Sequence, residues 1–346
     1  MLERLSNLLA RTSVRRGAIA LAFVALLLAL LLPFWPAGHP GAPKRYVTVA
    51  PHADALSVAS SMRSHHVIRN RWAFAALIRV MGGADRIQPG TYALSPGQNG
   101  FELVHWLMTG IGRQQRLVVP EGYSIGKIAR ILDARGIATG SVFVTLAHSP
   151  SRFYPRHPWL RQIGAGRSLE GFLFPATYLI EGDRIDEGVL IDRMLTRFQE
   201  VMLKRYEGEP SPTLELVPAL TLASIIELEA ARPQERAVIS GVFYNRLAKG
   251  MRLGSDPTVE YALGRHQGAR GLSLKDVQVQ SPYNTYLHAG LPPGPIGNPG
   301  LASFVAALRP AQTPYLFFVA RGDGTHVFSE TYQQHLAAHH ALKAGG

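Results

Sequence analysis

The segment 17–35 constrains the fold more than any other part of the sequence. It carries no charged residue over nearly the ~20 positions that a helix needs to cross a bilayer. Four arginines and one glutamate precede it, and by the positive-inside rule they keep the N-terminal tail in the cytoplasm. We therefore predict a cytoplasmic tail over 1–16, a single transmembrane anchor over 17–35 in the inner (plasma) membrane, and an extracytoplasmic remainder. A cleaved signal peptide is the alternative, but no A-x-A cleavage site follows, and Phe34, Trp35 and Pro36 are typical of a membrane-interface belt.

The absence of cysteine excludes disulfides, thiolate zinc sites and cysteine nucleophiles from all 346 residues. The net charge of +12 suits three kinds of acidic partner, namely nucleic acid, anionic lipid and the acidic polymers of a cell wall. The sequence has no dense run of Lys and Arg, no zinc-finger spacing and no RNA-binding aromatic motif, so we expect no nucleic-acid partner. The charge therefore indicates the wall or the membrane surface.

The exported part divides into a linker, a small module and a larger domain. Residues 36–45 are a short linker rich in Pro, Gly and Ala. Over 46–112 the apolar spacing predicts a strand, two helices, a second strand and a third helix, and this β-α-α-β order is that of a LysM-like carbohydrate-binding module. Residues 113–346 mix helical runs, short strands and dense Pro/Gly turns. The sequence thus predicts an α+β protein.

Within the larger domain, a strand, a turn and a helix are predicted over 116–132, with Ser124 as the helix N-cap. Two helices, over 214–229 and 234–249, are predicted to meet just before Pro233, and a buried strand is predicted over 315–320. The segment 149–166 is predicted to be loop.

Two glutamates end the otherwise apolar helical sequence ASIIELE at 223–229. Burial among apolar side chains raises the pKa of a carboxyl group, and the negative end of a helix dipole acts in the same direction. A carboxyl that keeps its proton is what cleavage of a glycosidic bond needs to neutralise the leaving oxygen. Residues two apart on a helix point about 200° away from each other, so only one of Glu227 and Glu229 faces a given cleft. Solvated or ion-paired glutamates at a helix end are the alternative explanation.

Five ordered motifs give the sequence a recognisable resemblance. They are LEGFLFPATY at 169–178, ASIIELE at 223–229, VFYNRLAKGMRLGSDPT at 242–258, SPYNTY at 281–286 and GLPPGPIGNPG at 290–300. With these motifs the chain resembles the MltG/YceG-like endolytic murein transglycosylases, over residues 117 to about 335. The resemblance implies a YceG-like catalytic domain over 113–346, preceded by the anchor and the LysM-like module.

The resemblance also implies the reaction. In that family the second glutamate of the ASIIEKE motif is catalytic, and its position here is Glu229. Leu228 replaces the usual Lys, Ala230 replaces a common Thr, and Gly254 and Ser255 precede Asp256 as further departures. A lytic transglycosylase needs one carboxylate, because the C6 hydroxyl of the sugar attacks C1 and leaves a 1,6-anhydro-muramic end. The implied substrate is nascent peptidoglycan glycan, cut so as to terminate strand elongation, and the implied partners are penicillin-binding synthases.

Other matched residues are expected to shape a glycan groove. Glu170 is a further site candidate, while Asn245, Asp256 and Asn284 offer hydrogen bonds to N-acetyl and hydroxyl groups. Flat faces for sugar rings are offered by Tyr283 and Tyr286. For each of these residues a purely structural role is the alternative.

The one-carboxylate mechanism requires no metal and no cofactor, and we expect neither. His335 and His339 have i, i+4 spacing, but no HExxH context accompanies them, so a surface helix is the favoured interpretation. His326 is expected either to line the cleft or to shape a turn.

Two other functions stay open at the level of sequence. One is a noncatalytic peptidoglycan-binding scaffold. The other is a muramidase-type hydrolase that uses Glu227 or Asp256 as a second carboxylate, as ordinary glycoside hydrolases do.

Overall fold

The computed structural model describes residues 35–83, 85–164, 166–210, 212–265 and 271–344. Within these ranges no helix combines the length and the apolar character that crossing a bilayer requires. The predicted anchor at 17–35 lies outside the described residues apart from Trp35. The chain mixes helices with one four-stranded and one two-stranded sheet, so the mixed α+β class is confirmed.

The first of two compact units comprises the described residues up to Leu117 together with Leu179–Arg184. The four-stranded sheet has the order β1-β2-β3-β4, and β1 and β2 are antiparallel. In chain order the elements are β1 (Arg45–Val49), α1 (Ala55–Ser64), α2 (Arg71–Val80), β2 (Gly90–Leu94), α3 (Gly100–Thr109), β3 (Arg113–Val118) and β4 (Thr177–Glu181). The last residue of β3 and the first two residues of β4 are counted with the second unit.

The local sequence explains this unit. In β1, Val47 and Val49 are buried while Tyr46 and Thr48 are exposed, as the two-residue period of a strand requires. The side chains of Asp54 and Asn70 cap α1 and α2 by accepting backbone N–H groups. The valines share one core with apolar residues from all three helices. The strands and helices predicted over 46–112 are present, while the likeness to a LysM module stays a prediction.

The second unit comprises Val118–Tyr178 and the residues from Ile185 onward. Its helices and strands are α4 (Ile125–Arg135), α5 (Gly140–Ala147), α6 (Glu187–Phe198), α7 (Lys204–Glu207), α8 (Leu216–Glu229), α9 (Arg236–Ala248), α10 (Asp256–Leu263), α11 (Leu301–Leu308), β5 (Phe317–Ala320), β6 (His326–Ser329) and α12 (Tyr332–Ala344). The Ser124 side chain accepts the N–H of Lys127 and caps α4, as predicted.

Helix α8 is the centre of this unit. It is apolar on every side, and a helix of that kind is stable only when it is surrounded by protein. It packs against α9, α10 and α11. Its last residue is Glu229, so the buried helix delivers that carboxyl group to a fixed position.

Two predictions about this unit were wrong. The strand expected to be buried over 315–320 is the shorter β5, which is half-exposed because it pairs only with β6 in a two-stranded sheet. The supposed loop over 149–166 contains two 3₁₀ helices that begin at Pro150 and Pro158. There Trp159 is buried and stacks on Phe198 with ring centroids 5.3 Å apart. Burial of apolar side chains therefore gives regular structure to a segment whose Pro and Gly content predicts a loop.

Candidate active site

Glu229 ends α8 because the chain turns there. Ala230 has an extended backbone, and Arg232 precedes Pro233, a position that disfavours helical geometry. The last helical carbonyls carry partial negative charge, so a carboxylate at this end is disfavoured relative to the neutral acid. The local sequence therefore places Glu229 where its proton is held more tightly.

The carboxyl group of Glu229 is held by one side chain. Ser255 donates its hydroxyl to Glu229 Oε1 at 2.6 Å. Ser255 is itself 1% exposed, and its N–H donates to Thr285 Oγ1 at 2.9 Å. The Thr258 hydroxyl lies 2.8 Å from that of Thr285 and donates to the Ser255 carbonyl at 2.6 Å. This network of hydroxyls fixes the Ser255 side chain and through it the carboxyl.

Burial raises the pKa of Glu229 from its ordinary value to about 7. The hydrogen bond from Ser255 and the charge of Arg246 act in the opposite direction, whereas Asp256 and Glu260 raise the pKa further. A group that titrates near neutrality can donate a proton and take one back at the same pH. This is the behaviour that a carboxyl acting first as an acid and then as a base requires.

Asp256, Tyr286 and Arg246 surround this carboxyl. The Tyr286 hydroxyl donates to Asp256 Oδ1 at 2.6 Å, and Asp256 is exposed. Arg246 donates from Nε to the Leu316 carbonyl at 2.6 Å, and its guanidinium lies 5.3 Å from the centroid of the Phe317 ring. The arrangement puts polar and aromatic groups beside Glu229 from three different elements.

Glu227 points elsewhere. Its Oε2 accepts the N–H of Gly300, at the start of α11, at 2.9 Å, and its Oε1 lies 3.3 Å from Arg236 Nη2. Arg236 in turn donates to Ser303 Oγ at 3.0 Å. Glu227 thus joins α8, α9 and α11 in a nearly buried ion pair, and it does not share a site with Glu229.

Glu170 is a buried acid with structural partners. It is 5% exposed and accepts the N–H of Ile125, the first residue of α4, at 3.0 Å. The Tyr261 hydroxyl donates to it at 3.3 Å, and Asn298 Nδ2 lies 3.4 Å away. Burial raises the pKa of Glu170 to about 8. Tyr283 packs beside Tyr261 with ring centroids 4.9 Å apart, so it belongs to this group.

The two asparagines use their amides to hold loops. Asn245 Nδ2 donates to the carbonyls of Thr313 and Tyr315, at 2.7 and 2.9 Å. Asn284 is completely buried, and its Nδ2 donates to the carbonyls of Val277 and Val279. Asn284 also accepts the N–H of Tyr286 at 2.9 Å, which helps to set the tyrosine beside Asp256. Their amide donors are thus occupied by backbone carbonyls.

The Pro/Gly loop over 291–300 is pinned at several points. Ile296 N–H donates to Ser224 Oγ at 3.0 Å, and Asn298 Nδ2 donates to the Tyr123 carbonyl at 2.7 Å. A Cβ atom at Gly297 would lie 2.6 Å from the Gly122 carbonyl oxygen, so only glycine allows this close approach. The loop is therefore a fixed wall of the second unit.

The structure brings Glu229, Asp256 and Tyr286 close together, whereas Glu170 and Tyr283 lie around Tyr261. Ser255 is a residue of the site that was not predicted; it precedes an Asp-Pro pair and occupies the N-cap position of α10. Its hydroxyl makes no bond to that helix and goes to Glu229 instead. The sequence signal that could have identified Ser255 is a hydroxyl residue directly before the DPT motif.

His326 and His335, two of the histidines considered above, have structural partners. His326 Nδ1 lies 2.7 Å from Glu235 Oε2, so it ties β6 to the turn before α9. His335 lies on α12 and stacks on Phe317 at 5.5 Å. Among the residues that the structure describes, no group of three or more His, Asp or Glu side chains could hold a metal ion.

Comparison with known proteins gives one consistent family. The model of the YceG-like family matches residues 47–341. The endolytic murein transglycosylase of Bacillus subtilis (strain 168) is 32% identical over 309 residues, which are 84% of this chain and 82% of that protein. The endolytic murein transglycosylase of Streptococcus pneumoniae serotype 2 is 29% identical over 304 residues, and the match spans 54% of its length. The crystal structure of a yceG-like protein from Listeria monocytogenes has a TM-score of 0.62 and 33% identity, over 85% of this chain and 98% of that one.

Proposed function

The chain belongs to the YceG-like family, and from that membership we propose that it is an endolytic murein transglycosylase, a lyase that cuts peptidoglycan glycan strands internally. Relatives that carry this name match most of the chain. The observation that carries the proposal is the environment of Glu229, a partly buried helix-terminal carboxyl with a pKa of about 7 and a fixed hydroxyl partner.

The proposed reaction uses Glu229 twice. Its protonated carboxyl gives its proton to the oxygen that bridges C1 of N-acetylmuramic acid and N-acetylglucosamine, and the C1–O bond breaks. The C6 hydroxyl oxygen of the same muramic acid forms a bond to C1, and its proton passes to the Glu229 carboxylate. The products are a 1,6-anhydro-muramic end and a free 4-hydroxyl on N-acetylglucosamine, and the carboxyl is protonated again. No water is consumed, so no second carboxylate is needed to activate one.

The position of Glu227 supports this mechanism over a two-carboxylate hydrolase that uses Glu227. The oxygens of Glu227 are engaged by Arg236 and by the N–H of Gly300. Asp256 is the remaining candidate for a second carboxylate, because it is exposed and its charge raises the pKa of Glu229. A hydrolase that uses Asp256 is therefore the second candidate function. Asp256 and Tyr286 are equally suited to hold a sugar hydroxyl beside the reacting bond.

The location of the reaction belongs to the same proposal. The uncharged segment 17–35 and the arginines before it support a single anchor in the inner membrane with both units outside the cytoplasm. A short linker over 36–45 keeps the anchored protein near the bilayer, where new glycan strands are made. We propose that it acts on nascent strands beside penicillin-binding synthases and stops their elongation.

The test is the chemistry of the new strand ends. Purified protein is incubated with uncrosslinked glycan strands, and the ends are identified by mass spectrometry. The proposal expects 1,6-anhydro ends from the wild-type chain and none from Glu229→Gln. Asp256→Asn is the matched control, since it should slow the reaction but still give anhydro ends.

Other results would favour the alternatives. Reducing ends that disappear with Asp256→Asn indicate the hydrolase. Glycan binding without any cleavage, unchanged by Glu229→Gln, indicates a noncatalytic scaffold.

A further inference from the structure

Helix α2 presents an apolar face to the solvent. Trp72 is 60% exposed and Val80 is 86% exposed, and Ala76 between them is exposed as well. The spacing of four residues puts all three on one side of the helix. The opposite side enters the core of the first unit through Phe74, Ala75, Leu77 and Ile78.

The charged residues of α2 itself are both positive, and Asp54, which caps α1, is the acidic group whose charge interacts with Arg79. The sequence of α2, RWAFAALIRV, contains no acidic residue, and the guanidinium of Arg71 lies 4.9 Å from the centroid of the Trp72 ring. Arg79 shares the exposed side. Residues 35–117 hold nine Lys and Arg against three Asp and Glu. Tryptophan and arginine beside small apolar residues are the composition of helices that lie in a membrane interface.

The chain enters the first unit beside this helix. Arg69, two residues before α2, donates from Nε to the Pro36 carbonyl at 2.9 Å. Trp35 is 72% exposed and lines one small cleft with Asn70 and Phe74. Residue 35 is also where the uncharged segment ends. A bilayer spanned by that segment would therefore meet the first unit close to the start of α2.

We propose that the face formed by Arg71, Trp72, Ala76, Arg79 and Val80 docks on the anionic headgroups of the bilayer that anchors the chain. This inference rests on the anchor proposed above. Because the anchor keeps the face near the lipid, a weak surface contact is enough to hold it there. Each arginine close to an anionic bilayer is expected to strengthen binding about fivefold.

The size of the face favours lipid over a second copy of the chain. A helix of ten residues is about 15 Å long, whereas a stable protein interface buries roughly 800 Å² on each partner. One side of such a helix falls short of that area. A lipid surface requires no comparable minimum contact area, because the chain is already tethered to it.

The absence of cysteine allows a single reporter to be placed without background labelling. The full chain with Val80→Cys carries an environment-sensitive fluorophore and is reconstituted into phosphatidylcholine vesicles with or without phosphatidylglycerol. Tyr46→Cys is the matched control, because Tyr46 is 55% exposed and projects from the face of β1 that lies opposite the core valines. Quenching is measured with a nitroxide-labelled lipid and with aqueous iodide.

The proposal expects the label at residue 80 to be quenched by the nitroxide lipid and protected from iodide in the vesicles that contain phosphatidylglycerol. The label at residue 46 should stay accessible to iodide. The double variant Arg71→Gln and Arg79→Gln should reduce lipid quenching at residue 80 severalfold, and the corresponding Lys variant should retain it. Equal iodide quenching at residues 80 and 46 overturns the proposal, and so does self-quenching that rises with protein density, which would indicate a second copy.

Extraction with alkaline carbonate tests the anchor separately. A carbonate-resistant chain whose label at residue 80 stays in water keeps the anchor and refutes the docking surface. A carbonate-extractable chain whose label is quenched by lipid supports a peripheral docking surface and refutes the anchor.

Discussion

Replacing Ser255 by Ala should move the alkaline limb of the pH profile upwards. The Ser255 hydroxyl donates to Glu229 at 2.6 Å and lowers the pKa that burial has raised. A hydrogen bond to a charged group contributes about 1.5–3 kcal/mol, and one to a neutral group contributes about 1 kcal/mol. The difference, on the order of 1.4 kcal/mol, corresponds to about one pKa unit. The pKa of Glu229 should therefore rise from about 7 to roughly 8.

The assay is kcat/KM for the release of anhydro ends as a function of pH. The first step needs the protonated acid, so kcat/KM should fall above about pH 7 in the wild-type chain and above roughly pH 8 in Ser255→Ala. We also expect kcat to fall about tenfold at the optimum, because the carboxyl loses its fixed orientation. Ser255→Thr keeps a hydroxyl and should keep the wild-type limb. A limb that stays in place in Ser255→Ala, in a protein that folds normally, would refute the role assigned to this hydroxyl.

Three further predictions separate stability from chemistry. Glu227→Gln should lower the free energy of unfolding by about 2–3 kcal/mol in urea titrations, since it breaks a nearly buried pair with Arg236, while the product keeps its anhydro ends. The pKa of Glu170 is raised to about 8 in the folded protein, so its contribution to stability is complete below the pKa of the unfolded chain and is lost as the pH rises towards 8. In Glu170→Gln the free energy of unfolding should therefore fall less between about pH 5 and pH 8 than in the wild-type chain. Gly297→Ala should lower the melting temperature measured by calorimetry, because the added Cβ would approach the Gly122 carbonyl to 2.6 Å.

Helix α8 could be predicted because the signals that bound it are local. The apolar run before Glu229 and the proline after Arg232 bound α8 to within a few residues. The identity of the reactive carboxyl needed the resemblance in addition, because periodicity shows only that Glu227 and Glu229 face different directions. Periodicity does not show which of the two glutamates faces a functional site.

The partners of the site residues could not be predicted, because they come from distant parts of the chain. Ser255 is 26 residues from Glu229, and a serine before Asp-Pro has an adequate local explanation as a helix cap. Asn245 and Asn284 match the motifs equally well, yet their amides bind carbonyls of neighbouring loops. The sequence shows that such residues are polar and belong to the motifs. Only the fold shows whether their hydrogen-bonding groups are paired with the backbone or left free for a substrate.

A carboxyl that acts as both acid and base cannot have an extreme pKa. At a pKa of 4.5 Glu229 would be almost entirely ionised at neutral pH and would have no proton for the leaving oxygen. If nothing opposed the effect of burial, the pKa would be too high. The carboxyl would then be too weak an acid to give up its proton and would seldom be ionised to act as a base. In this chain the burial of Glu229 is opposed by one hydroxyl and by the charge of Arg246, and the balance lies at about 7. The hydroxyl of Ser255 and the apolar helix therefore tune the same carboxyl in opposite directions. A stronger hydrogen bond would leave less of the acid protonated for the first step, and deeper burial would leave less of it ionised for the second.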